Sequence, residues 1–112
     1  MIFREDMKVA FACENNNGIE SKIAAHFGRC PYYIIVDIEG GEVKGVRAVE
    51  NPIAGGHEPG YLPNYLAGMG VKKVVAGGMG PRAVEWFSRL GIETVIEMSC
   101  TVKEVLARIV GK

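Results

Sequence analysis

The sequence predicts an α/β domain built on a five-stranded mixed sheet, and three observations carry that prediction. Two-residue alternation of apolar side chains marks the early strands, whereas spacings near 3.6 mark the second half. The elements follow as strand, strand, strand, helix, strand, helix, strand, helix. The second and third strands flank Gly40-Gly41, a pair that accepts the positive φ angles of a tight hairpin. An antiparallel start that runs into βαβα units places helices on both faces of a mixed sheet, three layers in all.

Each element has its own local cause. Residues 8–13 alternate, with Val9, Phe11 and Cys13 on one face, and read as the first strand. Residues 14–18 hold three consecutive asparagines and a glycine, which make a loop. Residues 19–27 have room for one helical turn. Residues 32–38 are aromatic and β-branched, hence a strand, and 43–49 resume the extended pattern after the glycine pair. Residues 51–60 contain two prolines and three glycines and form a long loop of the kind that carries function.

Leu62, Tyr65, Leu66 and Met69 then fall on one helix face closed by Gly70. Residues 71–76 are a short apolar strand, and Gly77-Gly78-Met79-Gly80 is a turn. Pro81 stands in the first turn of the next helix, where its missing N–H costs least. Ala83, Trp86, Phe87 and Leu90 repeat the helical spacing before Gly91. Residues 92–96 are a strand. Thr101 and Glu104 form a capping box ahead of Val102, Val105, Leu106 and Ile109, and Gly111 stops that helix. Residues 1–6 lack periodicity and read as a loose tail, leaving 7–112 as one domain.

Composition narrows the function. Thirteen basic and thirteen acidic residues give a formal net charge of zero, which argues against a broad basic field for nucleic acid or an anionic membrane. No apolar run approaches the roughly 20 residues needed to span a bilayer, and the charged start, Arg4-Glu5-Asp6, is no signal peptide. Three cysteines without a secretory signal imply a cytoplasmic protein whose thiols are free or act as ligands.

Topology places the chemistry. With strands one, four and five parallel, their carboxyl ends share one sheet edge, where open α/β sheets bind ligands. Cys13 ends the first strand, His26 and Cys30 precede the second, and His57 follows the third. Gly77 to Gly80 follow the fourth strand and Cys100 the fifth. Every cysteine and histidine is thus expected at that edge. Cys13 lies on an apolar strand face and reads as a small buried hydrophobe. His26 and Cys30 sit in a polar, glycine-containing connection that would present them from a loop, and His57 lies in Gly55-Gly56-His57. Cys100 before a capped helix reads equally as packing or as a ligand. Closely paired cysteines of the zinc type are absent, but thiolate and imidazole suit soft metals and iron–sulfur species. The Gly77–Gly80 turn, including Gly78 and Gly80, delivers helix-terminal N–H groups to the same edge, and Arg29 and Arg82 add positive charge. The edge therefore suits a soft, anionic, metal-containing ligand.

These residues resemble the dinitrogenase iron–molybdenum cofactor biosynthesis family. The likeness lies in His26-Phe27-Gly28-Arg29-Cys30 before an aromatic strand, in Gly55-Gly56-His57, and in Gly77-Gly78-Met79-Gly80-Pro81-Arg82-Ala83 opening a helix. Gly91-Ile92-Glu93-Thr94-Val95 and Thr101-Val102-Lys103-Glu104-Val105 extend it over almost the whole chain. The resemblance implies a ribonuclease H-like fold and the binding of an iron–sulfur cluster, an iron–molybdenum-type cluster or its precursor. It further implies cluster-assembly or nitrogenase proteins as partners, with no nucleic acid and no membrane. Its site falls on His26, and secondarily on His57 and Cys30.

The leading expectation is thus a non-enzymatic carrier or scaffold, with His26, Cys30 and Cys100 as metal ligands. His57, Arg29, Arg82, Gly78 and Gly80 complete its cofactor site. A two-metal nuclease is disfavoured because strand one offers no central carboxylate. A thiol enzyme pairing Cys30 with His26 is the alternative, as is a protein-binding module. Trp86, Tyr32, Tyr33 and Tyr61 would serve such a surface, but most lie in regular elements and read as core.

Overall fold

A computed structural model describes residues 6–52, 60–98 and 100–109. Five strands form one mixed sheet: β1 (Met7–Cys13), β2 (Tyr32–Glu39), β3 (Glu42–Glu50), β4 (Val71–Ala76) and β5 (Glu93–Ile96). Their order is β3-β2-β1-β4-β5. β1 runs parallel to β4, and β4 to β5, while β2 is antiparallel to both β1 and β3. The expected sheet directions are therefore those observed, and the carboxyl ends of β1, β4 and β5 share an edge.

The β2–β3 hairpin closes through Gly40 at φ 62° and Gly41 at φ 81°. Two successive positive φ angles match the right-handed twist of the flanking strands, and only glycine adopts them without a Cβ penalty. Phe11 lies opposite Ile34 and Val9 opposite Val36, so one apolar row runs across the centre. A slip of one residue would turn that row to the other face, which fixes the register.

Two helices cover one face: α1 (Tyr61–Ala67) and α2 (Pro81–Arg89). Leu62, Leu66 and Phe87 pack there on Ala10, Ala12, Tyr33, Ile35 and Val74. The other face carries α3 (Val102–Ile109), where Val102, Val105 and Leu106 meet Val9, Phe11, Ile34, Val36 and Val75. Alanines on the α2 side of β1 let the helices approach closely, and larger residues on the other side fill the space under α3. Among the described residues, no helix is long and apolar enough to cross a membrane.

Local details differ modestly from expectation. α1 ends at Ala67, short of Gly70, because the Met69 and Gly70 amides donate to the carbonyls of Leu66 and Ala67 in a tighter final turn. Gly70 then reverses the chain at φ 85°. The helical turn expected within 19–27 is two short 3-10 turns instead, Gly18–Glu20 and Phe27–Arg29.

The capping box forms as anticipated. The Thr101 amide donates to Glu104 Oε1 at 2.8 Å, and the Glu104 amide donates to Thr101 Oγ1 at 3.3 Å. Thr101→Ala should lower stability by about 0.5–2 kcal/mol, as other N-cap losses do. Urea denaturation measures it, and an unchanged midpoint would show that α3 is held by packing alone.

Candidate functional site

After β1 the chain crosses the carboxyl edge and is stitched to every element it meets. The Ala24 amide donates to the Ala12 carbonyl at 2.8 Å, and the Gly77 amide to the Ala24 carbonyl at 2.8 Å. Ile23 donates to the Cys100 carbonyl at 2.9 Å and Phe27 to the Gly78 carbonyl at 3.0 Å. Residues 23–27 thus bridge β1, the turn after β4, and the approach to α3. That bridge explains two of the glycines. A Cβ on Gly77 would lie 2.8 Å from the Ala24 oxygen, and one on Gly78 would lie 2.8 Å from the Ala25 oxygen. Both positions require glycine for backbone contact and not for a special φ.

The 3-10 turn Phe27–Arg29 then sorts its side chains. Phe27 is buried, its ring centroid 5.4 Å from that of Tyr33 and 5.2 Å, edge-on, from that of Phe87. With Phe27 anchored inward, its neighbours His26 and Arg29 are exposed. Both border a cavity of about 910 Å³ lined also by Met79, Arg82, Trp86 and Met98. Gly28, Gly78 and Gly80 line it too.

Its electrostatics are one-sided. His26, Arg29 and Arg82 are the ionisable side chains of the described lining, which contains no carboxylate. Lys8, Lys44, Lys73, Arg89, Lys103 and Arg108 each have a carboxylate within ion-pair reach, whereas among the described residues Arg29 and Arg82 at the cavity, like Lys22, Arg47 and Lys72 elsewhere, have none. The amides of Gly28, Gly78, Met79 and Gly80 have no acceptor among the described residues. The amino end of α2, opened by Pro81, adds its partial positive charge. In a chain of zero net charge, this is a local anion-accepting surface with thioether and aromatic walls.

The cysteines do not share it. Cys30 is 2% exposed, and its thiol donates to the Phe27 carbonyl at 3.4 Å. Burial pushes it up to about 11, although the Tyr33 hydroxyl and the amides of Cys13, Cys30 and Tyr32 pull back. Cys13 is pushed up to about 12, again chiefly by burial. Cys30 packs in the core under α1 and α2, whereas Cys13 and Cys100 pack on the α3 face. Burial raises Cys100 as well, and it borders a separate cleft with Glu14, Glu20 and Glu104. The structure therefore does not gather His26, Cys30 and Cys100 into one ligand set, and among the described residues no group of three or more Cys, His, Asp or Glu is placed to hold a metal ion. His57 lies outside the described residues.

Sequence reasoning missed two contributors. Trp86, read as core, forms a cavity wall instead. A signal was present, because Trp86 and the fully buried Phe87 are adjacent and so point about 100° apart on a helix. Its ring closes on Gly60, where a Cβ would stand 2.7 Å from Trp86 Cε2 and Cζ2. Tyr61 is 43% exposed, unlike the core Tyr33. Asn51, 8% exposed, has no sequence signature; its side chain donates to the carbonyls of Gly28 at 3.2 Å and Cys30 at 2.8 Å.

The fold and cavity define a small α/β protein that presents a soft-walled, cationic pocket at the carboxyl edge of its sheet. The chain belongs to the dinitrogenase iron–molybdenum cofactor family, whose model matches residues 7–112. It is 41% identical to the crystal structure of PH0822, with a TM-score of 0.83 over 94% of this chain and 91% of that one. It is 33% identical to an uncharacterized protein of Methanocaldococcus jannaschii over 102 residues, covering 89% of this chain and 82% of the relative. The apo form of the orange protein from Desulfovibrio gigas is 20% identical with a TM-score of 0.78, covering 97% of this chain and 91% of that one, a likeness of fold.

Two predictions arise from this geometry. Gly77→Ala should cost about 1–3 kcal/mol, as overpacking does, and urea unfolding should show it; wild-type stability would mean that the crossing segment yields freely. The thiols predict alkaline lability. Cys13 and Cys30 hold their protons more tightly folded than unfolded, so their contribution is complete below about pH 9 and falls as pH rises toward 11–12. The expected slope is about 1.4 kcal/mol per pH unit for each thiol. Unfolding curves in reductant at pH 8, 9 and 10 measure it, and a flat response would contradict the burial of both groups.

Proposed function

We propose that the chain is a small non-enzymatic carrier or scaffold that holds an iron–sulfur-type cluster, or an iron–molybdenum cofactor precursor, in the cavity between 25–29 and 77–86. The observation that carries this reading is the lining itself. Among the described residues, His26, Arg29 and Arg82 border an opening lined by no carboxylate, beside amides with no acceptor and walls of Met79, Met98, Trp86 and Phe27. Such a surface favours a cargo that is negatively charged and tolerant of an apolar, polarizable bed. In this reading His26, exposed at the cavity, would ligate the metal. Arg29, Arg82, Gly78 and Gly80 would balance the cluster's charge through outer contacts. The cargo would then bring most of its own sulfur, because the buried cysteines stand behind the wall.

Family membership supports the same cargo class, and with it cluster-assembly or nitrogenase proteins as partners. Ile96 at 53% and Met98 at 63% exposure lie at and just after the end of β5 and supply an apolar docking margin for a protein that delivers or collects the cargo. Three free thiols suit a cytoplasmic, reducing setting. The ribonuclease H-like description belongs to this proposal too, supported by a mixed five-stranded sheet with helices on both faces. A thiol-dependent enzyme built on Cys30 and His26 has less support, because a thiol pushed up to about 11 is almost wholly protonated near neutral pH.

The test is anaerobic incubation of the apo-protein with iron and sulfide, followed by desalting, optical spectra and EPR. Wild-type protein and Cys30→Ser should retain a cluster. His26→Ala and the pair Arg29→Gln with Arg82→Gln should each weaken retention by about tenfold or more, the arginine pair in a salt-dependent way. A wild-type protein that retains nothing, or variants that all retain it equally, would refute the assignment.

A further inference from the structure

We infer that Asn51 is a positioning residue for the cavity, holding the His26–Arg29 wall in place from beneath. Asn51 stands immediately after β3, far in sequence from that wall. Its amide nitrogen donates to the Cys30 carbonyl at 2.8 Å and the Gly28 carbonyl at 3.2 Å, and approaches Tyr33 Oη at 3.5 Å. Its backbone N–H donates to the Pro31 carbonyl at 2.9 Å. Asn51 and Tyr33 together account for four carbonyls of the connection. Those of Gly28, Cys30 and Pro31 accept from Asn51, and that of Phe27 accepts from the Tyr33 hydroxyl at 2.8 Å and the Cys30 thiol at 3.4 Å.

The consequence follows from a simple asymmetry. The carbonyls of Phe27, Gly28, Cys30 and Pro31 are engaged inside the protein, while the amide of Gly28 has no acceptor among the described residues. A peptide carries its N–H and C=O on opposite sides, so with the Phe27 carbonyl held inward by Tyr33 the Gly28 N–H is left toward the cavity. Asn51 fixes the flanking carbonyls of Gly28, Cys30 and Pro31. Asn51 has the chemistry for this. Its carboxamide offers two N–H donors at one point, which aspartate of the same size cannot do. Buried at 8% exposure, it is shielded from competing water. A carboxylate there would face carbonyl oxygens and push the turn away. Asn51 thereby sets where His26 and Arg29 stand without lining the cavity itself.

The binding arm of the test rests on the carrier reading, and the exchange arm does not. In Asn51→Asp, amide hydrogen exchange at Phe27, Arg29 and Cys30 should accelerate at least about tenfold, with Ala10, Phe11, Val74 and Val75 unchanged. The His26 imidazole resonances should broaden or split, and an iron–sulfide cluster reconstituted on the variant should dissociate at least about tenfold faster. Uniform acceleration across β1 and β4, or none at 27–30, overturns the inference. If the exchange and imidazole changes occur while wild-type protein retains no cluster, the carrier reading fails and the positioning role stands. Should Asn51→Asp not fold, Asn51→Ser, which keeps one shorter donor, is read by the same exchange measurement, and acceleration confined to 27–30 supports the role.

Discussion

The site depends on a backbone contact in which no side chain takes part. Where residues 24–25 cross Gly77 and Gly78, two chain segments lie closer than any Cβ would permit, joined by the hydrogen bonds Gly77–Ala24 and Phe27–Gly78. From that crossing the other features follow. It brings the loop before β2 against the turn before α2, although about fifty residues separate them in sequence. It drops the Phe27 ring toward Tyr33 and Phe87. It also leaves His26 and Arg29 exposed on the same cavity as Arg82. A hydrogen-bonded backbone junction is rigid and independent of side-chain rotamers, which suits a scaffold for recognition.

Charge is organised on the same principle. The chain is neutral overall, and most described cations are matched locally by carboxylates. Arg29 and Arg82 are exceptions located at the cavity. Attraction for an anion at the opening therefore comes from these nearby groups and not from the chain's net charge, and screening limits its reach to about a Debye length. Such a field gives little long-range steering but strong local preference. The uncharged thioether and aromatic walls restrict the choice further, because a strongly hydrated anion loses much of its solvation there.

Much of the fold was legible because its causes are local. The alternation of Val9, Phe11 and Cys13, the Gly40-Gly41 turn, Pro81 at a helix start and the Thr101/Glu104 box each act within a few residues, and each forms as read. The carboxyl edge was legible too, since strand direction follows from element order. What periodicity does not encode is the side of the sheet on which an edge residue falls. Cys30 and Cys100 both reach the expected edge, yet pack in different layers. Trp86 and Phe87 share one apolar pattern, and their offset of about 100° separates the two side chains without saying which becomes the wall and which the core. Asn51 was illegible because its partners are backbone carbonyls more than twenty residues away, which any residue type can supply.

The sheet divides the molecule into two layers with different obligations. On the α3 side, Val102, Val105 and Leu106 answer only to packing against β1, β2 and β4. On the α2 side, Phe87 and Leu62 support the same layer that forms the cavity floor, so packing and recognition are inseparable there. Volume-conserving exchanges beneath α3 therefore leave the cavity floor untouched, whereas those in the α2 layer shift it. For an engineer, the α3 face is the place to add stability or attach a label, since a strand layer insulates it from the pocket.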